Sequence, residues 1–578
     1  MAVIFLRNGT QKLDTSETLD NYRVFDITLP FFPLSLPFFD FTLSGFIFIF
    51  PNLTSLYQDS QLNPTDMRYD SSPVRHRLPL IFPLFLLVLA AMIPDQSSAQ
   101  DFEEWLRREQ QQYEDFRAEQ NRAFADMLRR QWNPMQSSEP ETLLEEDKPV
   151  EMPVAEPEAE PETAPVDRQP DRPRDIRPPG PPGTPSPPPA PIQRPEERRE
   201  PAPIRPPSVD PSLSTARVSF FGLNLDVPYD PRLSDIHVDG KFNAEAITSV
   251  WEKMSGTEIE SSVDFYKEIQ RQSNINDWGL ARLMFTTGET IYRGDRNLAR
   301  LYTWFMLIQS GYKARTGFND NGVLLMLAAE SHIFGTPFFR FDDVPFFMAH
   351  FDKIPPEPQR IFTYQSDFPG ELVPLSLQIR AIPGFTPQKT KRDLSFQFQG
   401  ETIRVQVEID RNLIAFYEFF PQTELEIYFN APVTYSTASG LKNALSEHVK
   451  GRSEREAVHL LLRFVQTAFG YKIDPDNFGR EKPLFPEETL FYDYSDCEDR
   501  AILFSFLVRE LLGMEVVGLR YPGHIAAAVK FSQPFPGDSV THRGNTYHVC
   551  DPTYINAGPG MAMDQFKNTI PKIITINR

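Results

Sequence analysis

The stretch from Pro134 to Pro211 constrains this chain most, because it cannot form part of a folded core. It is acidic between Glu139 and Glu162, and then combines proline with arginine around residues 177–182. Such a composition buries too little apolar surface to offset the entropy that a chain loses on folding. We therefore predict a disordered, extended linker over residues 134–211, first acidic and then proline-rich, with globular sequence resuming near Val218.

The sequence ahead of this linker indicates export. Three arginines between residues 68 and 77 precede the apolar run Leu78–Ile93, which leads to Ser97-Ser98-Ala99. A basic region, an apolar region and small residues at the exit are typical of a secretory signal peptide. We assign residues 67–99 to such a peptide, cleaved after Ala99, and regard residues 1–66 as an over-extended start rather than a domain.

These assignments predict a protein of the periplasm or cell envelope. The alternative is a protein anchored in the membrane through residues 78–93. Residues 100–133 then predict one amphipathic helix, because apolar side chains such as Phe102, Leu106 and Tyr113 recur at three-to-four spacing. Residues 101–132 either pack back on the globular part or bind a partner helix.

The length and net charge of the chain indicate how many domains it contains and which partners it can bind. A chain of 578 residues is too long for one core and suggests several domains. The formal net charge of -21, with no basic patch to meet phosphates, argues against nucleic acid as a partner.

The globular sequence predicts an α+β protein in three parts. Helical periodicity followed by a Phe-rich stretch, residues 334–351, predicts an α/β domain over residues 218–370. Runs at 375–382, 394–398, 403–409 and 425–429 predict the strands of a small β unit over residues 371–435. Two further helices open the last domain, residues 436–578.

A cysteine, a histidine and an aspartate in this last domain each stand at the edge of a predicted element. Cys497 begins a helix whose apolar face includes Ala501 and Phe504, and the positive end of the helix dipole favours a thiolate there. His524 follows Pro522-Gly523 and opens a buried strand that runs to Val529. Asp551 closes another strand. A cysteine nucleophile, a histidine base and an aspartate that orients the histidine require this arrangement.

The segment from about Tyr471 to Tyr554 resembles the transglutaminase-like superfamily, circularly permuted relatives of papain. The resemblance is carried by Asp496-Cys497-Glu498-Asp499-Arg500-Ala501, by Gly523-His524 and by Asp551-Pro552-Thr553. It implies a papain-like core with Cys497 as the nucleophile, His524 as the general base and Asp551 as the orienting carboxylate. Many crosslinking members use a tryptophan upstream of the cysteine as an oxyanion donor, but none of the five tryptophans lies after Trp304.

The resemblance implies acyl transfer from a peptide or side-chain amide, without a cofactor. Water as the acceptor makes the protein a peptidase or amidohydrolase, with cell-envelope components among the candidate substrates, and an amine acceptor makes it a transglutaminase. A non-catalytic scaffold of the cell envelope that binds peptides is the alternative from another class. The backbone N–H of Cys497 is one expected oxyanion donor, and Tyr492 or Tyr494 is the expected second donor. We expect Glu498 and Asp499 to be solvated or paired with Arg500 rather than catalytic.

Two other interpretations of the cysteines are open. Cys497 and Cys550 are the only cysteines, so a disulfide framework is excluded, but the two could pair with each other. Zinc could use His542, His548, Cys550 and Asp551, although this spacing fits no standard zinc pattern. We predict neither.

The upstream half predicts a degenerate copy of the last domain. When Gly311 is aligned with Gly513, Ala299 meets Ala501, and the positions of the cysteine, histidine and aspartate become Asp295, Gly322 and, after a one-residue gap, His350. If the repeat is real, residues 218–370 form a catalytically silent relative of the last domain.

Overall fold

The computed structural model describes residues 96–143, 148–155, 204, 206–351, 357–370 and 372–577. The predicted signal peptide up to residue 95, residues 1–66, the possible anchor at 78–93 and most of the predicted linker lie outside these residues. The chain divides into two compact units, Met1–Trp105 and Leu106–Arg578. The second unit combines helices with mostly antiparallel sheets, so the α+β class is confirmed.

Twelve α-helices are formed by the described residues. They are α1 Gln96–Leu128, α2 Ala244–Ser255, α3 Glu260–Ser273, α4 Asp277–Ile291, α5 Arg296–Gln309, α6 Arg411–Glu418, α7 Leu425–Asn430, α8 Tyr435–Val449, α9 Glu454–Thr467, α10 Asp474–Phe478, α11 Pro486–Phe491 and α12 Cys497–Leu507.

The strands form two larger sheets and three two-stranded pairs within the same part of the chain. They are β1 Asn133–Gln136, β2 Thr215–Phe220, β3 Leu223–Pro228, β4 Ala314–Asn319, β5 Gly322–Ala328, β6 Phe338–Phe341, β7 Val344–Ala349, β8 Arg360–Thr363, β9 Lys389–Phe398, β10 Glu401–Asp410, β11 Gly470–Tyr471, β12 Tyr494–Ser495, β13 Val516–Tyr521, β14 His524–Val529, β15 Ser539–His542, β16 Asn545–Cys550 and β17 Lys572–Ile574.

The upstream half packs helices α2–α5 against a six-stranded sheet of order β1-β8-β4-β5-β7-β6. Its core is aromatic: Trp251 and Trp304 are fully buried with ring centroids 4.7 Å apart. Helix α1 contributes to this core, since the ring centroid of Phe124 lies 4.7 Å from that of Trp251, while Leu106 and Tyr113, nearer the N-terminus of the helix, stay exposed. The C-terminal part of α1 therefore packs back on the globular part.

The linker prediction is wrong for its first residues. Strand β1, at residues 133–136, pairs antiparallel with β8 and so belongs to the upstream sheet. Residues 148–155 lie on the last domain, where Val154 forms a bridge with Ile555. The acidic composition concealed these contacts, because a few sheet bonds and one buried lysine suffice to anchor an otherwise polar segment.

The prediction of a small β unit over residues 371–435 is correct only for its hairpin, β9–β10, which packs on helices α8 and α9. Residues 425–429 form a helix instead, and Leu375 makes a single bridge with Ala329. A short continuous apolar run fits a buried helix as well as a buried strand, so periodicity could not decide between them.

The last domain repeats the architecture of the upstream half. Its sheet has the order β15-β16-β14-β13-β17, which matches β6-β7-β5-β4-β8 strand for strand. The offset that aligns Gly311 with Gly513 also brings β4 onto β13 residue for residue, and a one-residue gap brings β7 onto β16. Helix α5 precedes β4 as α12 precedes β13. The two halves thus share the order of these elements, and a degenerate repeat of the last domain stays a prediction.

One of the hydrophobic clusters spans both halves. Buried residues of the upstream helices are continuous with Phe485, Cys497 and Ile525 of the last domain. Among the described helices, none combines the length and the apolar character that crossing a bilayer requires.

Candidate active site

Helix α12 begins at Cys497, where the carboxylate of Asp499 holds the first turn. Asp499 accepts the backbone N–H of Asp496 through Oδ2 at 3.1 Å and that of Leu484 through Oδ1 at 2.7 Å. The bond to Asp496 is one half of a capping box, and the bond to Leu484 fixes the preceding loop. Asp499 and Glu498 are both fully buried, so our expectation that they are solvated or paired with Arg500 is wrong.

Arg500 secures the same turn from the other side. Its guanidinium is buried and donates to the carbonyls of Phe469 and Gly470 at 2.9 Å, and of Gln466 at 3.1 Å. Burial lowers the pKa of Arg500 to about 10, which still leaves it charged at neutral pH. The start of α12 is therefore tied to the end of helix α9 and to strand β11.

His524 and Asp551 meet because their strands are neighbours in the sheet. β14 pairs antiparallel with β16, and the tight turn at Gly523, with φ of 62°, delivers His524 to the first position of β14. His524 Nε2 lies 2.8 Å from Asp551 Oδ2, and both side chains are buried. Asp551 Oδ1 accepts the backbone N–H of Thr553 at 2.9 Å, which fixes the carboxylate.

The second ring nitrogen of His524 is unengaged. Nδ1 is buried and makes no hydrogen bond to any described residue. The ring stacks on Phe566, with centroids 5.3 Å apart and planes 3° from parallel. Asp551 and Phe566 thus hold the imidazole in one orientation with one nitrogen unused.

The thiol of Cys497 is bound to a carboxylate rather than to the histidine. Sγ donates to Glu498 Oε2 at 3.1 Å, and the side chain is fully buried. Burial, followed by the charges of Glu498 and Asp496, raises the pKa of Cys497 well above its usual value. The expectation that the helix dipole favours a thiolate is therefore wrong for this conformation.

A lysine that sequence reasoning missed lies beside this thiol. Lys148 Nζ pairs with Asp496 at 2.7 Å, with Asp474 at 3.7 Å, and also with Glu481 and Glu498. Its side chain is only 5 % exposed. Burial alone would lower the pKa of Lys148, but the surrounding carboxylates raise it well above the usual value, so it is an ammonium.

We call these four carboxylates, Asp474, Glu481, Asp496 and Glu498, the ammonium pocket. Burial and the neighbouring Glu498 raise the pKa of Asp496 to about 7. Oδ1 of Asp474 and Oδ1 of Asp496 are buried and bond to no described residue. Three of the carboxylates lie close enough together to hold a cation, and Lys148 supplies that charge here.

Tyr471 is a second residue that sequence reasoning missed. Its hydroxyl donates to the carbonyl of Pro149 at 2.6 Å, and its pKa is raised by burial and by the nearby Cys497. The residues that the sequence suggested as oxyanion donors are placed otherwise: Tyr492 packs on Phe478, and Tyr494 is 45 % exposed.

The residues of the alternative zinc set serve other contacts. Cys550 Sγ lies 3.6 Å from the carbonyl of His548, whose ring stacks on Phe535. Cys550 and Cys497 are both free thiols. Burial raises the pKa of Cys550 well above its usual value as well.

The upstream positions that align with Cys497, His524 and Asp551 do not repeat this combination of a thiol, an imidazole and a carboxylate. Asp295 caps helix α5 by accepting the backbone N–H groups of Asn297 and Leu298. Gly322 opens β5 as His524 opens β14, but its φ of 122° strains any other residue, and a Cβ there would lie 2.5 Å from Asn297 Oδ1 and displace that side chain. His350 follows β7 as Asp551 follows β16, and its Nε2 lies 3.4 Å from Thr336 Oγ1.

No family model, curated protein or solved structure matches this chain.

Proposed function

We propose that the protein is a cysteine acyl-transfer enzyme of the transglutaminase-like type that hydrolyses peptide or side-chain amides. One observation carries the proposal: a buried His524–Asp551 pair leaves one imidazole nitrogen unused, in the domain whose helix α12 begins with a cysteine. Asp551 fixes the tautomer and stabilises the imidazolium, as an orienting carboxylate must.

The proposed reaction has two steps. In the first, the Cys497 thiol passes its proton to His524, sulfur bonds to the amide carbon, and the C–N bond breaks as His524 returns the proton to the leaving amine. In the second, His524 takes a proton from water, whose oxygen attacks the thioester and releases the carboxylic acid. The proton then restores the thiol.

Two donors are available for the oxyanion of each step. The N–H of Cys497 stands in the first turn of α12, where no intrahelical acceptor exists. The hydroxyl of Tyr471 already binds a carbonyl oxygen, that of Pro149. We assign Tyr471 as the second donor in place of Tyr492 or Tyr494.

The described conformation is the resting form of this proposed enzyme. A fully buried thiol with a raised pKa cannot attack a substrate, so Cys497 must be exposed and must exchange Glu498 for His524 before it reacts. The hydrogen bond between His524 and Asp551 supports their proposed roles as base and orienting group, and we assign the approach of the thiol to substrate binding.

The test is turnover of a casein or peptide-library digest by the full chain. Replacement of Cys497 by alanine should abolish hydrolysis while circular dichroism and the thermal midpoint stay near those of the wild type. Replacement of Cys550 by alanine is the matched control and should retain hydrolysis. Hydrolysis that persists without Cys497 contradicts the proposal.

A crosslinking transglutaminase is the second candidate, because a primary ammonium, that of Lys148, already lies next to the thiol. An acceptor amine would occupy the same neighbourhood. Incorporation of monodansylcadaverine, measured beside hydrolysis, separates the two: amine incorporation in excess of hydrolysis supports crosslinking.

A further inference from the structure

A short segment of the chain itself crosses the candidate active site. Residues 148–155, which we call the strap, run from the start of helix α12 to the loop that follows Asp551. The strap is held at both ends, while Val150 between the two anchors is 67 % exposed. It therefore behaves as a ligand with two anchored ends rather than as a buried part of the core.

The first anchor places an ammonium group beside the nucleophile. Glu498 binds Lys148 through Oε1 and the thiol of Cys497 through Oε2, so one carboxylate joins the two residues. Four carboxyl groups surround this one ammonium. The unpartnered Oδ1 atoms of Asp474 and Asp496 add acceptors that Lys148 does not use. The pocket is thus built for a cationic group with several donors.

The next residue of the strap binds as a substrate would. The carbonyl of Pro149 accepts the hydroxyl of Tyr471, the group that we assign as an oxyanion donor. The lysine side chain and the adjacent carbonyl therefore engage the ammonium pocket and the proposed oxyanion donor together.

The second anchor is a stretch of backbone pairing. The N–H of Ile555 donates to the carbonyl of Pro153 at 2.9 Å, and the N–H of Ala155 donates to the carbonyl of Ile555 at 2.8 Å. Pairing of this kind accepts any extended peptide, because it uses main-chain groups alone. Side-chain selectivity must then come from the ammonium pocket.

We propose that the strap occupies the substrate cleft as an internal ligand, and that the ammonium pocket recognises the primary ammonium of a lysine-like side chain on an extended peptide substrate. The proposal rests on the proposed function and adds the substrate class to it. Each strap contact has a counterpart in such a peptide: an ammonium in the pocket, a carbonyl on Tyr471 and a main-chain pair with Ile555.

The first experiment measures access to Cys497 in the full chain. Iodoacetamide labelling of Cys497 at pH 7, followed by peptide mapping, should be at least tenfold faster in Lys148→Gln than in the wild type. Glu151→Gln, at an exposed strap position, is the control and should label like the wild type. Equal rates in Lys148→Gln and the wild type would overturn the proposal.

A second variant covers the case in which Lys148→Gln does not fold. Ala155→Pro removes the N–H that binds Ile555 and leaves the ammonium pocket intact. It should also label faster. An unchanged rate in this variant likewise counts against an occupying strap.

The second experiment tests recognition of the ammonium. A capped synthetic peptide with the sequence of residues 148–155 should protect Cys497 of the Ala155→Pro variant from labelling. The same peptide with norleucine in place of lysine should need at least a tenfold higher concentration. Equal protection by the two peptides would show that the pocket does not select an ammonium and that Lys148 is a structural counter-ion.

These readouts do not depend on turnover. If Cys497→Ala keeps full amide hydrolysis while peptide protection of the thiol in Ala155→Pro depends on lysine, the proposed function fails and the binding site stands. If hydrolysis depends on Cys497 but protection is indifferent to lysine, the enzyme stands and the substrate class is wrong.

Discussion

Cys497 donates a hydrogen bond to Glu498 at 3.1 Å, and the same carboxylate binds Lys148 through its other oxygen. A thiol held by a carboxylate keeps its proton, because ionisation would place two negative charges side by side. The buried thiol is therefore held in its neutral form next to a pocket that is filled by an ammonium group.

Glu498→Gln should make Cys497 more acidic. Burial raises the pKa of this thiol first and Glu498 second, so removal of the charge should lower the pKa and speed labelling about tenfold at pH 7 for one unit of change. The pH dependence of the labelling rate measures it. Glu481→Gln also removes a partner of Lys148 but leaves the Glu498 carboxylate on the thiol, so it should leave the thiol pKa unchanged. An equal shift in both variants would assign the effect to the strap instead.

Asp496→Asn should alter the pH dependence of stability. The folded-state pKa of Asp496 is about 7, raised by burial and by Glu498, so its contribution to stability is fully present below its unfolded value of about 3.9 and is lost as the pH rises through about 7. An asparagine does not titrate. Between pH 4 and pH 7 the wild type should lose roughly 2–4 kcal/mol of unfolding free energy relative to the variant.

Urea denaturation at pH 4, 5.5 and 7.5 measures this difference. The matched control is Asp476→Asn, which changes an exposed carboxylate of helix α10, the helix that also carries Asp474. Its unfolding free energy should vary with pH as that of the wild type does. If the unfolding free energy of Asp496→Asn also varied with pH as that of the wild type does, the ammonium pocket would not be the source of the pH dependence of stability.

Asp551→Asn should slow the proposed hydrolysis without unfolding the protein. The variant keeps an oxygen for the backbone N–H of Thr553 but no longer fixes the tautomer of His524. The comparable change in a serine protease lowers kcat by about 10⁴, and we expect a loss of roughly 10²–10⁴ here. Steady-state kinetics with an unchanged thermal midpoint would bear this out, and a kcat near that of the wild type would remove Asp551 from the mechanism.

Asp295→Ala should reduce the stability of the fold and leave the rate of the proposed hydrolysis unchanged. Asp295 occupies the position that corresponds to Cys497 in the upstream half, but it serves as the N-cap of α5. Loss of such a cap costs about 1 kcal/mol. Asp295→Ala should therefore lower the midpoint of thermal unfolding and leave the rate of hydrolysis per folded molecule the same as in the wild type. A lower rate per folded molecule would mean that the upstream half takes part in the reaction.

Local sequence patterns predicted the framework of the site. Helix α12 starts at Cys497, β14 starts at His524 and β16 ends before Asp551, because dipole, turn and periodicity signals act over a few residues. The order of elements that the two halves share could be predicted for the same reason, since both halves keep nearly the same spacing between helix and strands. The pairing of His524 with Asp551 then follows from strands that are neighbours in one sheet.

The contacts that govern the thiol could not be predicted in this way. Lys148 reaches Glu498 across 350 positions of sequence, from a segment whose composition resembles a linker. In the sequence, Glu498 and Asp496 resemble exposed charges at the start of a helix. Their burial costs free energy, which the ammonium group of Lys148 offsets. The role of Tyr471 could not be predicted either, because the local sequence of a two-residue strand does not indicate which group the tyrosine hydroxyl binds.

Alkylation of the two thiols decides whether His524 activates Cys497. Iodoacetamide labelling at pH 7 with peptide mapping compares Ala155→Pro, in which the strap is released, with the double variant Ala155→Pro/His524→Ala, and Cys550 is the internal reference in each sample. We predict that Cys497 reacts faster than Cys550 and that His524→Ala slows Cys497 at least tenfold while leaving Cys550 unchanged. Equal labelling of the two thiols, or a Cys497 rate that is indifferent to His524→Ala, would contradict the proposed nucleophile and base.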